Sequence, residues 1–477
     1  MIKRFTTPLA VTAMAVALSG CVSLAPKYER PAAPVAPSFD DAPANPANNE
    51  AAAQIEWRRF FADTRLRQLI DLALTNNRDL RVAILNIEQA RAQYQIRRAD
   101  ILPTVNAAVN GSRVPGPNDS ITSTYTAGFG VSAFELDLFG RVRNLSEAAL
   151  AQFLATDEAR KSTQIGLIGS VANTYLALLA DDELLALIRQ TLAAREESLK
   201  LIQLKYDNGV VSKVDLSQGQ SLVDTARVAL AQQQRQRAQD INALVLLVGQ
   251  PLPANLAPAN TLAQTELSDL PAGLPSDLLA VRPDIRAAEQ QLIGANANIG
   301  AARANFFPRI SLTGTAGSAS SELSGLFKGG SFGWTFAPSV VLPIFDYGRN
   351  TANLGSARAG RDIAVAQYER SIQIAFREVS DALAGQATFA EQLRAQRAVA
   401  QAEADRFNLS DLRYRNGAAS YLDLLDAQRS LFTAQQQAVQ ANLQRLQNQV
   451  TLYRVLGGGW TTAATAAAAA PTATATR

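Results

Sequence analysis

The chain contains no histidine, one cysteine (Cys21) and only two methionines in 477 residues. Without histidine no Ser–His–Asp or Cys–His catalytic set can be assembled. No His/Cys zinc or copper centre is available either, and a lone cysteine cannot form a disulfide within the chain. There is no GxxxxGK[ST] phosphate loop, so nucleotide hydrolysis is not expected. The chain reads as a non-enzyme that needs no cofactor. Clustered basic residues are also missing. Lys3 and Arg4 are the only charges in the first twenty residues, and removing that stretch takes the formal charge from +3 to +1. A nearly neutral chain without a basic patch is a poor ligand for nucleic acid. Proline is absent from 118 to 250 and again from 344 to 470, which leaves two long stretches free to be helical.

What is present begins with an address. Lys3 and Arg4 precede an apolar run, Leu9 to Leu18, of signal-peptide length and too short to span a bilayer as a helix. It ends in Leu18-Ser19-Gly20-Cys21, which resembles a bacterial lipobox. Residues 1–20 are therefore expected to be removed and Cys21 to be lipidated, and several acyl chains anchor firmly. Residues 21–56, rich in Pro, Ala and Asn, read as a tether with little structure. The Ala/Thr tail, 458–477, reads as disordered.

Between these ends one motif is written twice. Asp79-Leu80-Arg81, Ala90, Arg98 and Pro103 return as Asp284-Ile285-Arg286, Ala295, Arg303 and Pro308, at a constant offset of 205. Gly140-Arg141, Tyr206, Asn208-Gly209, Ser212, Asp215 and Gly249 return as Gly348-Arg349, Tyr414, Asn416-Gly417, Ser420, Asp423 and Gly457, at an offset of 208. Compositional likeness between Ala/Gln-rich helices does not reproduce matched Gly, Pro and Tyr. The chain divides into a first repeat, 57–265, and a second, 266–457.

Each repeat opens with a helical segment, about 64–99 and about 276–304. Two strands follow. In 121–134, Tyr125, Ala127, Phe129 and Val131 alternate with Thr124, Thr126, Gly128 and Gly130. In 331–344, Phe332, Trp334, Phe336, Val340 and Leu342 share a face, and Ser311, Thr313 and Thr315 alternate with Ile310 and Leu312. One greasy face and one small polar face suit a membrane β-barrel, with lipid outside and water inside, and equally a soluble four-stranded sandwich. Four strands do not close a barrel, so the membrane reading requires oligomerisation; three copies would give twelve strands. Each repeat then ends in a helical hairpin whose tip is Tyr206-Asp207-Asn208-Gly209 or Tyr414-Arg415-Asn416-Gly417, since Asn-Gly supplies the φ > 0 that ends a helix. Leu422, Leu425, Phe432, Val439, Leu443, Leu446, Val450, Tyr453 and Leu456 fall at coiled-coil-like spacing on the returning helix.

This arrangement resembles the TolC-like outer membrane factors, and within them the OprM/NodT-like lipoproteins. The motifs that carry the resemblance are Leu274-Pro275-Ser276-Asp277-Leu278-Leu279, Arg282-Pro283-Asp284-Ile285, Phe306-Phe307-Pro308, Phe345-Asp346-Tyr347-Gly348-Arg349 and Tyr421-Leu422-Asp423-Leu424-Leu425-Asp426-Ala427-Gln428. The resemblance implies a homotrimer whose twelve-strand barrel, four strands per chain, sits in outer-membrane lipid. It implies a coiled-coil tunnel of helices in the periplasm, a periplasmic adaptor protein and an inner-membrane pump of the RND type. The expected function is a passive exit duct for small molecules, with protein secretion or a lipid-anchored coiled-coil scaffold as the alternatives.

Asp423 and Asp426, three residues apart, share a helix face, and three copies would make each a ring of carboxylates that favours cations. By resemblance these two acids line the closed periplasmic aperture, and Leu422 is an apolar constriction there. The same resemblance makes Tyr414 and Arg415 a latch onto Asp215 of a neighbouring coil. It departs at Ala419, where TolC carries a basic residue. Asp215 and Asp423 are equally readable as acids that complement a helix dipole.

Overall fold

The computed structural model of the protein describes residues 23–39, 55–117, 120–268, 270 and 279–460. The signal peptide, Cys21, the tail from 461 and the stretch Leu274–Leu278 lie outside the described residues. In order, the chain forms α1 (Trp57–Phe60), α2 (Thr64–Asn76), α3 (Arg78–Ala99), β1 (Val105–Pro115), β2 (Ile121–Leu136), α4 (Arg141–Asp207), α5 (Lys213–Val248), α6 (Pro283–Ala304), β3 (Arg309–Ser320), β4 (Phe332–Val341), α7 (Arg349–Arg415) and α8 (Tyr421–Val455). It divides into two compact units. Of the described residues, one draws on 23–33, 85–158 and 287–371, and the other on those within 34–84, 159–286 and 372–460.

The first unit holds the sheet, antiparallel throughout and ordered β1-β2-β3-β4. Its register places Val109, Ala127, Phe129, Ala316, Trp334 and Phe336 on one face. The alternation of β2 is interrupted between Val131 and Phe134, where a bulge inserts one residue. Ala133 takes φ 51° there, and its N–H donates to Thr313 Oγ1 at 3.1 Å. Past the bulge Phe134 and Leu136 stand opposite Leu312 and Ile310, so the greasy face continues and Glu135 is turned to the polar side. Across the polar face a row of small residues, Ala108, Gly128, Gly317 and Gly333, stand opposite one another. A Cβ on Gly128 would come within 2.6 Å of Gly317 Cα, so this approach requires glycine. No second sheet covers the greasy face among the described residues, and Trp334 is 73 % exposed. That overturns the soluble sandwich, which needs a facing layer.

Residues 23–39 form no helix or strand, yet the stretch from Ser23 to Arg30 is held in place. Leu24 O accepts from Arg303 Nη1 at 3.0 Å, Pro26 O accepts from Asn296 Nδ2 at 2.7 Å, and Arg30 grips Glu289 through two bonds of 2.7 and 2.8 Å. These partners share one face of α6. On the same face Gly300 makes room for the strap, because a Cβ there would lie 2.7 Å from Ala25 N.

The second unit holds the greater part of both hairpins. α4 and α7 have 67 residues each, about 100 Å of helix at 1.5 Å per residue. The helix expected over 64–99 is in fact broken at Asn77. Its Oδ1 caps α3 by accepting from Leu80 N, and its Nδ2 donates to Leu247 O at 2.9 Å. In the second repeat Arg282 stands at the matching break, and its Nη1 donates to Val455 O at 3.0 Å. The acceptors are themselves 208 positions apart. The buried guanidinium of Arg282 is neutralised by Asp284 and Glu378. Of the expected stripe, Leu425, Val439, Leu443, Leu446, Val450, Tyr453 and Leu456 are buried, Phe432 is half-buried and Leu422 is exposed.

Gly249, which ends α5 at φ 77°, packs against the same break: a Cβ would meet Asn76 O at 2.4 Å. Gly209 at the hairpin tip has φ 71° and nothing within 4 Å. Gly209→Ala is therefore expected to destabilise by about 1 kcal/mol, the left-handed backbone penalty alone. Gly249→Ala must also displace a carbonyl, and its thermal unfolding midpoint in detergent should fall well below that of Gly209→Ala.

Candidate functional site

The residues singled out from the sequence gather at the two hairpin tips, which are built alike. Gly209 N donates to Tyr206 O at 2.9 Å and Val210 N to Lys205 O at 2.8 Å; Gly417 N donates to Tyr414 O at 3.0 Å and Ala418 N to Arg413 O at 2.8 Å. Asn208 and Asn416 each reach back to a carbonyl four residues earlier, at 2.7 and 2.8 Å. Both Gly209 and Gly417 take φ 71°. This is the Schellman closure, which satisfies the last carbonyls of a helix and reverses the chain.

The returning helices start on matched capping boxes. Asp215 N donates to Ser212 Oγ at 3.2 Å while Ser212 N donates to Asp215 Oδ2 at 3.0 Å. Ser420 and Asp423 repeat the pair at 3.2 and 3.1 Å. Within one chain, then, Asp215 and Asp423 serve as first-turn caps. The pattern Ser-x-x-Asp carries this signal in the sequence, and Ser212 and Ser420 belong to the site on that ground.

The three latch residues are not bonded to one another within the chain. Tyr414 Oη accepts from Lys205 Nζ at 3.1 Å, and the same ammonium lies 4.4 Å from the centre of the tyrosine ring. Arg415 pairs with Asp411 at 2.8 Å, one turn earlier on its own helix. Tyr414 also packs on Tyr421, with ring centroids 5.6 Å apart. Tyr421 sits in an apolar cluster with Ile202, Leu424 and Leu425, and burial, Tyr414 and the Asp215 charge all push its phenol up. Asp215 thus stands near the tyrosine pair and acts on it through its field.

Asp423 and Asp426 do share one open groove of about 900 Å³, together with Leu422, Leu409, Arg406 and Arg413. Leu422 is 56 % exposed at its edge. Asp426 is not a free carboxylate: Arg406 of α7 binds it, and Arg429 approaches at 3.2 Å. The hydrogen bond from Arg406 holds its carboxyl below the usual range, with Arg429 acting in the same direction. Arg406 lies twenty residues before Asp426 on the facing helix, so no local pattern in the sequence announces it. Among the described residues there is no cluster of His, Cys, Asp and Glu that could hold a metal. No helix among them is long and apolar enough to cross a membrane.

The sheet with a greasy and a polar face, continued by two long helical hairpins, defines a class that the comparisons identify. The chain matches the Outer membrane efflux protein family over residues 69–250 and again over 274–458, and it belongs to that family. It is 50 % identical over 462 residues to the Pseudomonas putida toluene efflux pump outer membrane protein TtgC, covering 95 % of each chain. It is 46 % identical over 459 residues to the Pseudomonas aeruginosa outer membrane protein OprJ, covering 94 % of this chain and 96 % of that one. Among solved structures it is similar to the open state of the Neisseria gonorrhoeae MtrE outer membrane channel, with TM-score 0.86, 40 % identity and coverage of 92 % and 99 %. A Pseudomonas aeruginosa membrane protein superposes at TM-score 0.87 with 45 % identity, covering 92 % of this chain and 98 % of that one. The protein is an outer-membrane channel subunit of an efflux system and not an enzyme.

Removing one cap tests the tip geometry. Ser420→Ala should cost about 1 kcal/mol of local helix stability. Amide exchange should speed up at residues 421–424 and leave 213–216 unchanged, and Ser212→Ala should do the reverse.

Proposed function

We propose that three copies of this chain close a twelve-strand barrel in the outer membrane, anchored by lipid on Cys21, and continue it as a helical tunnel into the periplasm. The single observation that carries this reading is the sheet itself. It has one apolar, aromatic-rich face, one small polar face, and two edge strands, β1 and β4, each paired on one side only among the described residues. Such a sheet is complete in lipid only when its edges are joined to other copies. The hairpin tips form the periplasmic mouth. There Leu422, Asp423 and Asp426 narrow the aperture, while Tyr414 and Arg415 latch onto Asp215 of the neighbouring coil.

The lone-chain geometry adds two parts to that gate. Lys205 holds the Tyr414 hydroxyl, and Arg406 with Arg429 offsets the charge of Asp426, which leaves Asp423 as the acid with no arginine bonded to it. A periplasmic adaptor and an RND-type inner-membrane pump supply the cargo and the energy. Relatives named for toluene, solvent and antibiotic efflux point to small, largely apolar molecules as the cargo.

Single-channel conductance in a planar bilayer tests the duct and the gate separately. The wild type should conduct weakly with a cation preference. Tyr414→Phe combined with Arg415→Ala should raise the conductance severalfold. Conductance unchanged by these substitutions discards the latch, and none at all from inserted trimers turns the reading toward a scaffold. A second expectation concerns selectivity: Arg406→Ala should shift the reversal potential toward stronger cation preference, because it uncovers the charge of Asp426.

A further inference from the structure

The first hairpin carries an acid pair that its duplicate lacks. Asp181 on α4 is only 5 % exposed. Its Oδ1 accepts from Gln233 Nε2 of α5 at 2.6 Å. Its Oδ2 is buried with no donor, and the acid that acts on it is Asp240, one heptad beyond Gln233 on the same helix face. Asp240 in turn accepts from Gln236 Nε2 at 3.2 Å. Of the other charges at this level, the neighbouring Asp182 pushes Asp181 in the same direction as Asp240 does. Asp182 is paired with Arg237 of α5, and Arg397 of α7 acts on Glu183 rather than on Asp181. In the second hairpin, 208 positions on, stand Phe389 and Asn448. There Asn448 donates to Ala382 O at 2.9 Å. A hairpin of this kind therefore closes without an acid pair at this level.

Two carboxyl groups set against each other, one of them buried at Asp181 and the other half-buried at Asp240, resist being ionised together. One O–H···O⁻ bond resolves the conflict and supplies the donor that Asp181 Oδ2 lacks. We infer that Asp181 and Asp240 share a single proton and form a pH-sensitive clasp between the outgoing and returning helices of the first hairpin. It is shut while the proton is held and loosens when the proton leaves.

Burial, and then the facing Asp240, push the Asp181 carboxyl up to about 7, a property of the coupled pair. The sign follows. A carboxyl whose value is raised on folding adds its stability at low pH, and that stability is lost as the pH climbs from the ordinary carboxylate range through about 7. Only the first hairpin is affected, so the two halves of the duplicated chain respond differently to the same change. Both acids belong to one chain, and the clasp stands independently of the trimer and gate described above.

Hydrogen exchange on the full-length protein in detergent, corrected for intrinsic rates, tests it. Between about pH 5.5 and about pH 8, local opening around residues 176–186 and 235–244 should increase on the order of tenfold. Segments 384–394 and 443–452 of the second hairpin serve as the internal control and should not change. Asp240→Asn, whose amide donates permanently to Asp181, should abolish the pH effect. In the infrared, a protonated-carboxyl band should disappear with a midpoint near 7 and be missing from the Asp181→Asn/Asp240→Asn variant. Opening that does not change with pH, or changes equally in Asp240→Asn, overturns the clasp. So does protection that a chelator removes and a divalent cation restores, since a bridging cation would then hold the two acids.

Discussion

A strand in hydrocarbon has to give each of its backbone N–H and C=O groups to a neighbouring strand, because no water is there to take them. Everything else in this chain follows from that demand. Four strands with two open edges cannot meet it alone, and among the described residues nothing covers the greasy face that would look onto lipid. The bulge in β2 serves the same end. Without it the alternation of β2 would turn Phe134 and Leu136 to the polar side and Glu135 to the apolar one. With it the apolar face runs on, and Glu135 instead binds Arg141 through bonds of 2.8 and 2.7 Å where α4 begins.

The duplication explains how so long a hairpin is held in register. Asn77 and Arg282 have no chemistry in common, yet each breaks a helix at the same place and each donates to a carbonyl near the end of the returning helix. The amide manages this as a neutral group. The guanidinium requires two carboxylates around it as well, because a buried cation must be paired. Geometry has been preserved here and chemistry has not. The acid pair Asp181–Asp240, set against Phe389 and Asn448, is a second case of the same divergence.

At the hairpin tips the electrostatics are balanced locally before any second copy is considered. Asp215 and Asp423 cap helices, Arg415 is held by Asp411, and Asp426 is held by Arg406 and Arg429. A carboxylate already in a hydrogen-bonded ion pair presents less charge to its surroundings than a bare one. Leu422, left out of the buried stripe of α8, stands 56 % exposed beside these acids.

Much of this was determined by the sequence alone. The two repeats, the greasy and polar alternation of the strands, the Asn-Gly tips and the Ser-x-x-Asp starts are periodic or local patterns, and local backbone preference is sufficient to form them. The family followed from motifs spread along the whole chain. Other features only the tertiary structure decided. Asn77 ends one helix and begins the next because Leu247 O lies within reach, a contact across 170 residues. The strap from Ser23 to Arg30 is held by α6 although its own composition favours disorder. Arg406 meets Asp426, and Asp181 meets Asp240, because hairpin packing sets distant turns of two helices face to face. Such pairings depend on the register between helices. Register is fixed by side chains packing across the interface, and no spacing within either helix encodes it.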